Sequence, residues 1–258
     1  MTTEAVATPS DSSWILEKFR GNVELYITPI FFGLLAFTTS VVWIYSYFDF
    51  QTADILEPSK LLSQTWEHII LTFWSTLIVL LIAIPLGILL TRPAFRKYSG
   101  PVLGLANGGQ AVPAYGLLVL FAAWLGTDVS TAVVALAVFS ILPVLRNTMV
   151  GLDQVDQAVI EAGRGMGLSK MQVLREIELP LAVPVILAGV RIALVINVGT
   201  AALAFLIGAG GLGETINSGL KLRRDAAVFI GGALVAMLAL VIDFTAALAE
   251  RYMRPKGV

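Results

Sequence analysis

The chain has 258 residues, of which 57% are hydrophobic and 14% charged, and its mean hydropathy is +0.84. Soluble domains are about 45–50% apolar and about 25% charged, so the composition excludes an ordinary soluble globule and indicates an integral membrane protein. A formal net charge of −1 gives no reason to expect nucleic acid as a partner, and the absence of cysteine excludes disulfides, thiolate metal sites and cysteine nucleophiles.

Residues 1–27 form a polar segment rich in Ser, Thr and Ala, which we expect to be a poorly ordered cytoplasmic tail as far as Trp14. The segment lacks the basic start of a signal peptide, and the apolar run that follows is too long for one. We therefore predict that residues 28–48 are an additional N-terminal transmembrane helix. At the other end of the chain, residues 250–258 are a second polar tail.

Six apolar runs are long enough to cross a bilayer, because a helix needs about 20 residues to span the hydrocarbon. They are approximately residues 28–48, 68–91, 101–125, 129–148, 181–207 and 226–249. The sequence therefore predicts an all-α integral membrane protein with six transmembrane helices.

The only histidine, His68, stands beside Trp66 and Glu67 at the start of the second run. A single imidazole in that position is more typical of the membrane interface than of a metal site. We therefore predict that His68 is interfacial and that the chain holds no metal.

The third run is interrupted by polar and helix-breaking residues. They are Asn107, Gly108, Gly109, Gln110 and Pro113. Backbone groups freed by such a break need partners in protein or in a water-lined cavity, since lipid offers none. We therefore expect the third helix to face the interior of the assembly.

The segment between the fourth and fifth runs, about residues 153–180, predicts a hairpin of two short helices. Apolar residues recur on one helical face at Val155, Ala158, Val159, Ala162 and Met166. Gly167 is placed to end the first helix, and Ser169 with Gln172 has the spacing of a capping box that begins the second. Pro180 is expected to interrupt that second helix before the fifth span. From the spacing alone, a loop on the membrane surface is an equally good interpretation.

Two charged residues fall inside predicted spans, Arg191 in the fifth and Asp243 in the sixth. An unpaired charge at the bilayer centre costs at least about 2.5–3.5 kcal/mol. We therefore predict that the two residues pair as a structural bridge. A proton relay is the alternative, although the spans contain nothing else that would continue one.

Residues 208–225 connect the fifth and sixth runs. Their glycines allow close backbone approach, and Leu212, Ile216 and Leu220 have the spacing of a short helix that would cover the pore. A solvated loop is the alternative interpretation.

The distribution of basic residues predicts that both termini are cytoplasmic. In that orientation twelve of the 17 Lys and Arg residues lie inside, and only Lys60, Lys221, Arg223 and Arg224 lie outside. Cytoplasmic loops carry the excess of Lys and Arg, so the opposite orientation is disfavoured. The cluster at 221–224 is a departure from this rule.

The hairpin resembles a motif of ABC importer permease subunits, written EAA…G………I.LP. The matching residues are Glu161, Ala162, Gly167, Ile177, Leu179 and Pro180. One position departs from the pattern, because Gly163 stands where the third position is usually Ala, and we expect this change to loosen the first helix.

Four further stretches resemble the osmoprotectant branch of that family, whose permeases import glycine betaine, carnitine, choline or proline betaine. They are PLGILLTR (85–92), ILPVLRNTMVGL (141–152), LPLAVPVILAGVRIA (179–193) and FLIGAGGLG (205–213). The resemblance covers about residues 64–247, which would be the ABC transmembrane type-1 domain. The first span lies outside it, and its role stays open.

The resemblance implies a type I ABC importer transmembrane fold in the bacterial cytoplasmic, or inner, membrane. The hairpin would dock in a cleft of a cytoplasmic ABC ATPase dimer through Glu161, Ala162, Gly163, Gly167, Leu168, Ile177, Leu179 and Pro180. Because the chain has no G-x-x-x-x-G-K-[ST], ATP and Mg would be held by that ATPase, and this chain would be a transport subunit without a cofactor rather than an enzyme. The other implied partners are a second permease chain, identical or homologous, an extracytoplasmic solute-binding protein and the lipid bilayer.

Two further groups of residues are candidates under this resemblance. Polar residues that would line the translocation path are Asn107, Gln110, Tyr115, Asn197 and Thr200. Charged residues that would contact the binding protein or form the outer gate are Glu214, Lys221, Arg223 and Arg224. For each path residue, a hydrogen bond that only packs two helices is an equally weighted alternative.

Two alternative functions stay open. The first keeps the ABC architecture with an amino acid or another small polar solute as cargo. The second is a stand-alone channel or secondary transporter, which the EAA pattern, the lack of a charged relay and the small size of the chain disfavour.

Overall fold

The computed structural model describes residues 23–46 and 48–253. The poorly ordered tail predicted as far as Trp14 lies outside the described residues, and so do residues 254–258. The helices are α1 Val23–Ser46, α2 Phe50–Ile55, α3 Pro58–Thr91, α4 Ser99–Ala111, α5 Ala114–Leu125, α6 Val129–Asp153, α7 Gln157–Gly165, α8 Lys170–Val173, α9 Leu179–Ala201, α10 Gly213–Leu222 and α11 Asp225–Met253.

Within the described part of the chain, five helices are long and apolar enough to cross a membrane. The bent pair formed by α4 and α5 makes a sixth if it is counted as one span. The prediction of an all-α protein with six membrane-crossing helices is therefore confirmed.

The bend between α4 and α5 is caused by Pro113. The two helices meet at 99°, and both Val112 and Pro113 are extended, with ψ values of 130° and 135°. A residue before proline is pushed out of the helical region, and proline itself cannot donate a backbone hydrogen bond. The predicted break is therefore real, but it lies at Pro113, whereas residues 107–110 remain helical.

The centre of the bundle is α6, which packs along α3 on one side and α9 on the other. Small residues bring these helices close together. A Cβ atom on Gly87 of α3 would lie 2.7 Å from Cβ of Thr148, and one on Gly189 of α9 would lie 2.8 Å from the Pro143 carbonyl oxygen. Close backbone approach at small residues is a main source of helix association in membranes.

The additional N-terminal helix α1 packs on the outside of α11. Only 6% of the most apolar stretch of this helix is buried by the rest of the chain. The indole of Trp43 links this helix to the bundle, because its Nε1 donates to the Leu56 carbonyl oxygen at 3.2 Å. This helix is therefore an appendage to the other spans and not part of their core.

Several predicted boundaries shift. The second span begins ten residues earlier than predicted, because Pro58 occupies the first turn of α3, where proline is favoured. The fifth span ends at Ala201 instead of 207, and a short 3-10 turn at Ala204–Ile207 follows it. The predicted C-terminal tail from residue 250 is helical as far as Met253.

Candidate functional site

The polar segment between α6 and α9 forms a hairpin of two short helices. The carboxylate of Asp156 accepts a hydrogen bond from the Ala158 backbone N–H at 2.8 Å and caps the start of α7. Gly167 has φ +88°, the left-handed conformation that ends a helix. The start of α8 carries the predicted capping box, in which Ser169 and Gln172 exchange hydrogen bonds of 3.3 and 3.0 Å.

A small apolar core holds the two helices of the hairpin together. Ile160 and Val173 are buried. A Cβ atom on Gly163 would lie 2.5 Å from Cδ1 of Ile177 and 3.6 Å from Cδ1 of Leu168. Glycine at the third position of the EAA pattern therefore makes room for Ile177, a packing role beyond the expected loosening of α7.

The opposite face of the hairpin is exposed in this chain. It carries Glu161 and Ala162, both exposed, together with Met166 at 77% exposure and Met171 at 55%. A Cβ atom on Gly167 would meet nothing within 4 Å. This face has room for a partner.

The predicted interruption at Pro180 is wrong, because the chain is helical from Lys170 to Ala201 without a gap. Leu174–Glu178 forms a π turn, and the Leu179 N–H donates to the Leu174 carbonyl oxygen five residues back. Proline lacks an N–H, and its ring collides with the carbonyl four residues earlier in a regular helix. The wider π turn just before Pro180 is where the helix departs from that regular geometry.

A partly buried ion pair joins the hairpin to the end of α3. Arg92 Nη2 lies 2.5 Å from Glu178 Oε2, and Nη1 lies 3.2 Å from Oε1. The Glu178 side chain is 5% exposed and that of Arg92 32%. A second pair at the same end, between Arg96 and Asp153, has its side chains 62% and 40% exposed.

The two intramembrane charges, Arg191 and Asp243, also form an ion pair. Arg191 Nε lies 2.5 Å from Asp243 Oδ1, and Nη2 lies 2.8 Å from Oδ2. The two side chains are 24% and 25% exposed. They border a groove of about 500 Å³ between α9 and α11, which Ile192, Val195 and Glu250 also line.

The five path candidates do not come together at one place in this chain. Asn197 is fully buried, and its Nδ2 donates to Thr76 Oγ1 at 3.0 Å. Thr200 donates to the carbonyl oxygen of Ile196 on its own helix at 2.8 Å. Asn107 and Tyr115 are exposed and Gln110 is half-buried, all three on the bent pair of α4 and α5.

The end of the bundle opposite the hairpin carries a polar cluster that sequence reasoning missed. The Glu67 carboxylate accepts a hydrogen bond from the Gly211 N–H at 2.9 Å, and Thr215 Oγ1 donates to Gln64 Oε1. A Cβ atom on Gly210 would collide with the Glu67 carboxylate. The one signal in the sequence is the spacing of Gln64 and Glu67, which places them on one face of α3.

The prediction that His68 is interfacial is wrong. The side chain is fully buried, and its Nε2 lies 2.8 Å from the Val198 carbonyl oxygen of α9. The physical reason is that α3 begins at Pro58, so His68 lies well inside the helix and faces its neighbour.

The charged residues of the connecting segment occupy the same end as this cluster. Residues 213–222 form the predicted short helix. Arg223 ends it with φ 54°. Glu214 and Lys221 are exposed, whereas Arg224 Nη1 lies 2.8 Å from Asp49 Oδ2, next to α2.

A bundle of membrane-crossing helices with a bent pair and a polar hairpin between two spans is the architecture of an importer permease. The family described as "Binding-protein-dependent transport system inner membrane component" matches residues 83–255, and this chain belongs to it. The class of protein predicted from the hairpin motif is therefore confirmed.

Curated relatives match over most of their length. The choline transport system permease protein OpuBB of Bacillus subtilis (strain 168) is 40% identical over 199 residues, which are 77% of this chain and 91% of that protein. The glycine betaine/carnitine/choline permease protein OpuCB of the same organism is 38% identical, with the same coverage. The osmoprotectant import permease protein OsmY of Salmonella typhimurium (strain LT2) is 43% identical over 74% of this chain and 81% of that protein.

Solved transporter structures share the fold. A chain of the MetNI methionine ABC transporter, in an inward-facing conformation, superimposes with a TM-score of 0.65 at 28% identity, over 77% of this chain and 99% of that one. A chain of a bacterial alginate ABC transporter gives a TM-score of 0.57 at 18% identity and shows the fold alone. The predicted type I ABC importer transmembrane fold is thereby confirmed.

Proposed function

We propose that this chain is the permease subunit of an ATP-driven importer in the bacterial cytoplasmic membrane, with a quaternary ammonium compatible solute as its cargo. The observation that carries the proposal is the 38–43% identity to permeases named for choline, glycine betaine, carnitine and osmoprotectant transport. An amino acid cargo is the second candidate, since the MetNI methionine transporter has the same fold.

The hairpin supports the coupling role in this proposal. Exposed large apolar side chains on an otherwise polar element indicate a protein interface, and Met166 and Met171 are such residues. Glu161 and Ala162 lie on the same exposed face, whereas Gly163, Leu168 and Ile177 form the core that holds this face in shape. The partner would be a separate ATPase that binds ATP and Mg.

The opposite end of the bundle would face the binding protein. In the proposed orientation, with both termini in the cytoplasm, α10 lies outside, and Glu214, Lys221 and Arg223 are exposed there. The bent pair would line the path with Asn107, Gln110 and Tyr115, which flank the break at Pro113, because a break in a membrane helix needs protein or water as a partner. A second permease chain would complete the path.

The experiment that tests this proposal measures uptake of labelled choline, glycine betaine and carnitine at high osmolarity. The host lacks its other importers for these solutes, and the gene is deleted and then restored as wild type or as Gly167→Trp. We expect uptake with the wild type and none with Gly167→Trp, because the indole would occupy the exposed face where the ATPase docks.

Gly126→Trp is the matched control for that variant. Gly126 also has a positive φ, +90°, and open space around its missing Cβ, but it lies at the end of α5 and outside the hairpin. Uptake should survive this substitution. If the restored wild type carries none of the three solutes, the cargo assignment is wrong. If Gly167→Trp transports as well as the control, the docking assignment is wrong.

A further inference from the structure

The ion pair between Arg92 and Glu178 fixes the base of the hairpin to a helix that is distant in sequence. Arg92 follows the last residue of α3, and Glu178 ends the π turn just before α9. The guanidinium is also held on its own helix, since Nε donates to the Ile88 carbonyl oxygen at 3.3 Å and Nη2 to Thr91 Oγ1 at 3.1 Å. The Glu178 carboxylate is therefore tied to a donor group that is itself anchored on α3.

Stability alone is a weak explanation for this pair. Removing two charges from water can cost more free energy than their attraction returns, and buried ion pairs are often replaced by apolar residues without loss of stability. The nearby pair of Arg96 and Asp153 is exposed and does not carry this cost. A bidentate contact between an arginine and a carboxylate does, however, fix distance and orientation.

The position of Glu178 suits a mechanical role. It ends a π turn, a rare element that occurs frequently at functional sites. Beside it lies a cavity of about 350 Å³ that separates α7 from the end of α3 and is lined by Arg96, Asp153, Gln157 and Arg164. The Arg92–Glu178 pair bridges the hairpin and α3 at the edge of this cavity.

We propose that the Arg92–Glu178 ion pair is a positioning element that transmits movement of the hairpin to α3. This inference rests on the coupling role of the hairpin proposed above. When an ATPase displaces the hairpin, α9 follows because it continues the same helix, and α3 follows because the ion pair ties it to the base of that helix. Without the pair, the ATPase would still dock and hydrolyse ATP, but α3 would lag behind α9.

The test uses the complete transporter reconstituted in proteoliposomes with its ATPase and binding protein, supplied with choline or glycine betaine. The measured quantity is the number of ATP molecules hydrolysed per solute imported. Three variants are compared with the wild type: the apolar double variant Arg92→Met with Glu178→Met, the charge-retaining variant Arg92→Lys, and the control double variant Arg96→Met with Asp153→Met.

We expect the apolar double variant to assemble and hydrolyse ATP but to need about tenfold more ATP per solute, a size typical of coupling energies between sites. Arg92→Lys keeps the charge but cannot make the bidentate contact, so its ratio should lie between those of the wild type and the apolar double variant. The control pair is exposed and its loss should leave the ratio unchanged.

Three results would overturn the inference. The first is an apolar double variant that couples as the wild type does, since the pair would then be dispensable. The second is an Arg92→Lys variant that is as uncoupled as the apolar one. The third is failure of the apolar double variant to assemble, which would make the pair a folding element. A wild-type complex that imports no solute with ATP would instead overturn the proposed function, and this inference with it.

Discussion

At the scale of single residues, Asn197 shows how a polar side chain inside a membrane bundle can be accounted for. Its Nδ2 donates to Thr76 Oγ1 on α3, and the side chain has no exposed surface. Its Oδ1 is buried and has no hydrogen-bond partner among the described residues. The contact to Thr76 favours the interhelical hydrogen bond over the path-lining role.

The interhelical role of Asn197 makes a prediction that a path role does not. Asn197→Ala and Thr76→Val should each lower stability, since each loses a hydrogen bond that contributes about 0.6 kcal/mol and at most about 1.7 kcal/mol. Asn197→Ala should cost more, because it also leaves a cavity at a buried site. The double variant should cost less than the sum of the two, because each single change already breaks the bond. Thermal unfolding of the detergent-solubilised wild type, the two single variants and the double variant measures this double-mutant cycle.

Uptake kinetics separate the two roles of Asn197. If the side chain only packs two helices, the KM for the solute should be the same in Asn197→Ala and Thr76→Val. A KM that rises only in Asn197→Ala, with additive stability losses, would show that the residue contacts the solute instead.

At the scale of helices, α1 is the element whose contribution is easiest to separate. Its most apolar stretch is 6% buried. Val42 and Trp43 pack against a cluster of Leu56, Ala227 and Ile230. Helices in lipid associate through packing and hydrogen bonds and not through the hydrophobic effect, so this small contact contributes little to the stability of the bundle. We therefore expect a chain that lacks residues 2–46 to assemble and transport.

The measurement for this truncation is uptake per membrane-inserted molecule, compared with the full chain. Trp43→Ala in the full chain is the matched control, because it removes the hydrogen bond to Leu56 while the helix remains. Uptake should be close to that of the wild type in both. Loss of uptake in the truncated chain alone, at normal abundance, would show that α1 has a function of its own.

Local elements of the hairpin could be predicted from sequence, whereas its attachment could not. The capping box of Ser169 and Gln172 and the left-handed Gly167 depend on a few neighbouring residues, and the structure has both features. The Arg92–Glu178 pair joins residues 86 positions apart, and no local pattern indicates it. The π turn was missed because Pro180 by itself indicates a helix break.

The burial of His68 was missed for a related reason. A residue beside Trp66 and Glu67 has the local signature of a membrane interface. Its environment, however, is set by Val198 on α9, whose carbonyl oxygen lies 2.8 Å from the ring. Sequence periodicity gives the face on which a side chain lies, but the helix that covers that face is fixed by tertiary packing.

At the scale of the whole molecule, α3 connects the two ends of the bundle. The helix has 34 residues, and at about 1.5 Å per residue it is about 50 Å long, more than the hydrocarbon thickness of about 30 Å. Arg92 follows its last residue and binds the base of the hairpin. Near its other end, Glu67 binds the Gly211 N–H in the segment before α10. Movement of α3 would therefore reach both ends.

The orientation of the molecule in the membrane decides which end could meet the proposed ATPase. The excess of Lys and Arg predicts that the hairpin is cytoplasmic, but Lys221, Arg223 and Arg224 depart from that rule on the outer side. Because the natural chain contains no cysteine, a single introduced thiol reports its own location without background.

We predict that Lys221→Cys reacts with a membrane-impermeant maleimide in intact spheroplasts, whereas Lys97→Cys reacts only after the membrane is opened. Both side chains are exposed in the structure, one on α10 and the other in the turn that follows α3 at the hairpin end, so accessibility to the reagent is limited by the membrane alone. The reverse pattern would place the hairpin outside, where no ATP is available, and would end the coupling proposal. Labelling of Lys221→Cys first would mean that the basic cluster lies outside, against the positive-inside bias and accessible to the proposed binding protein.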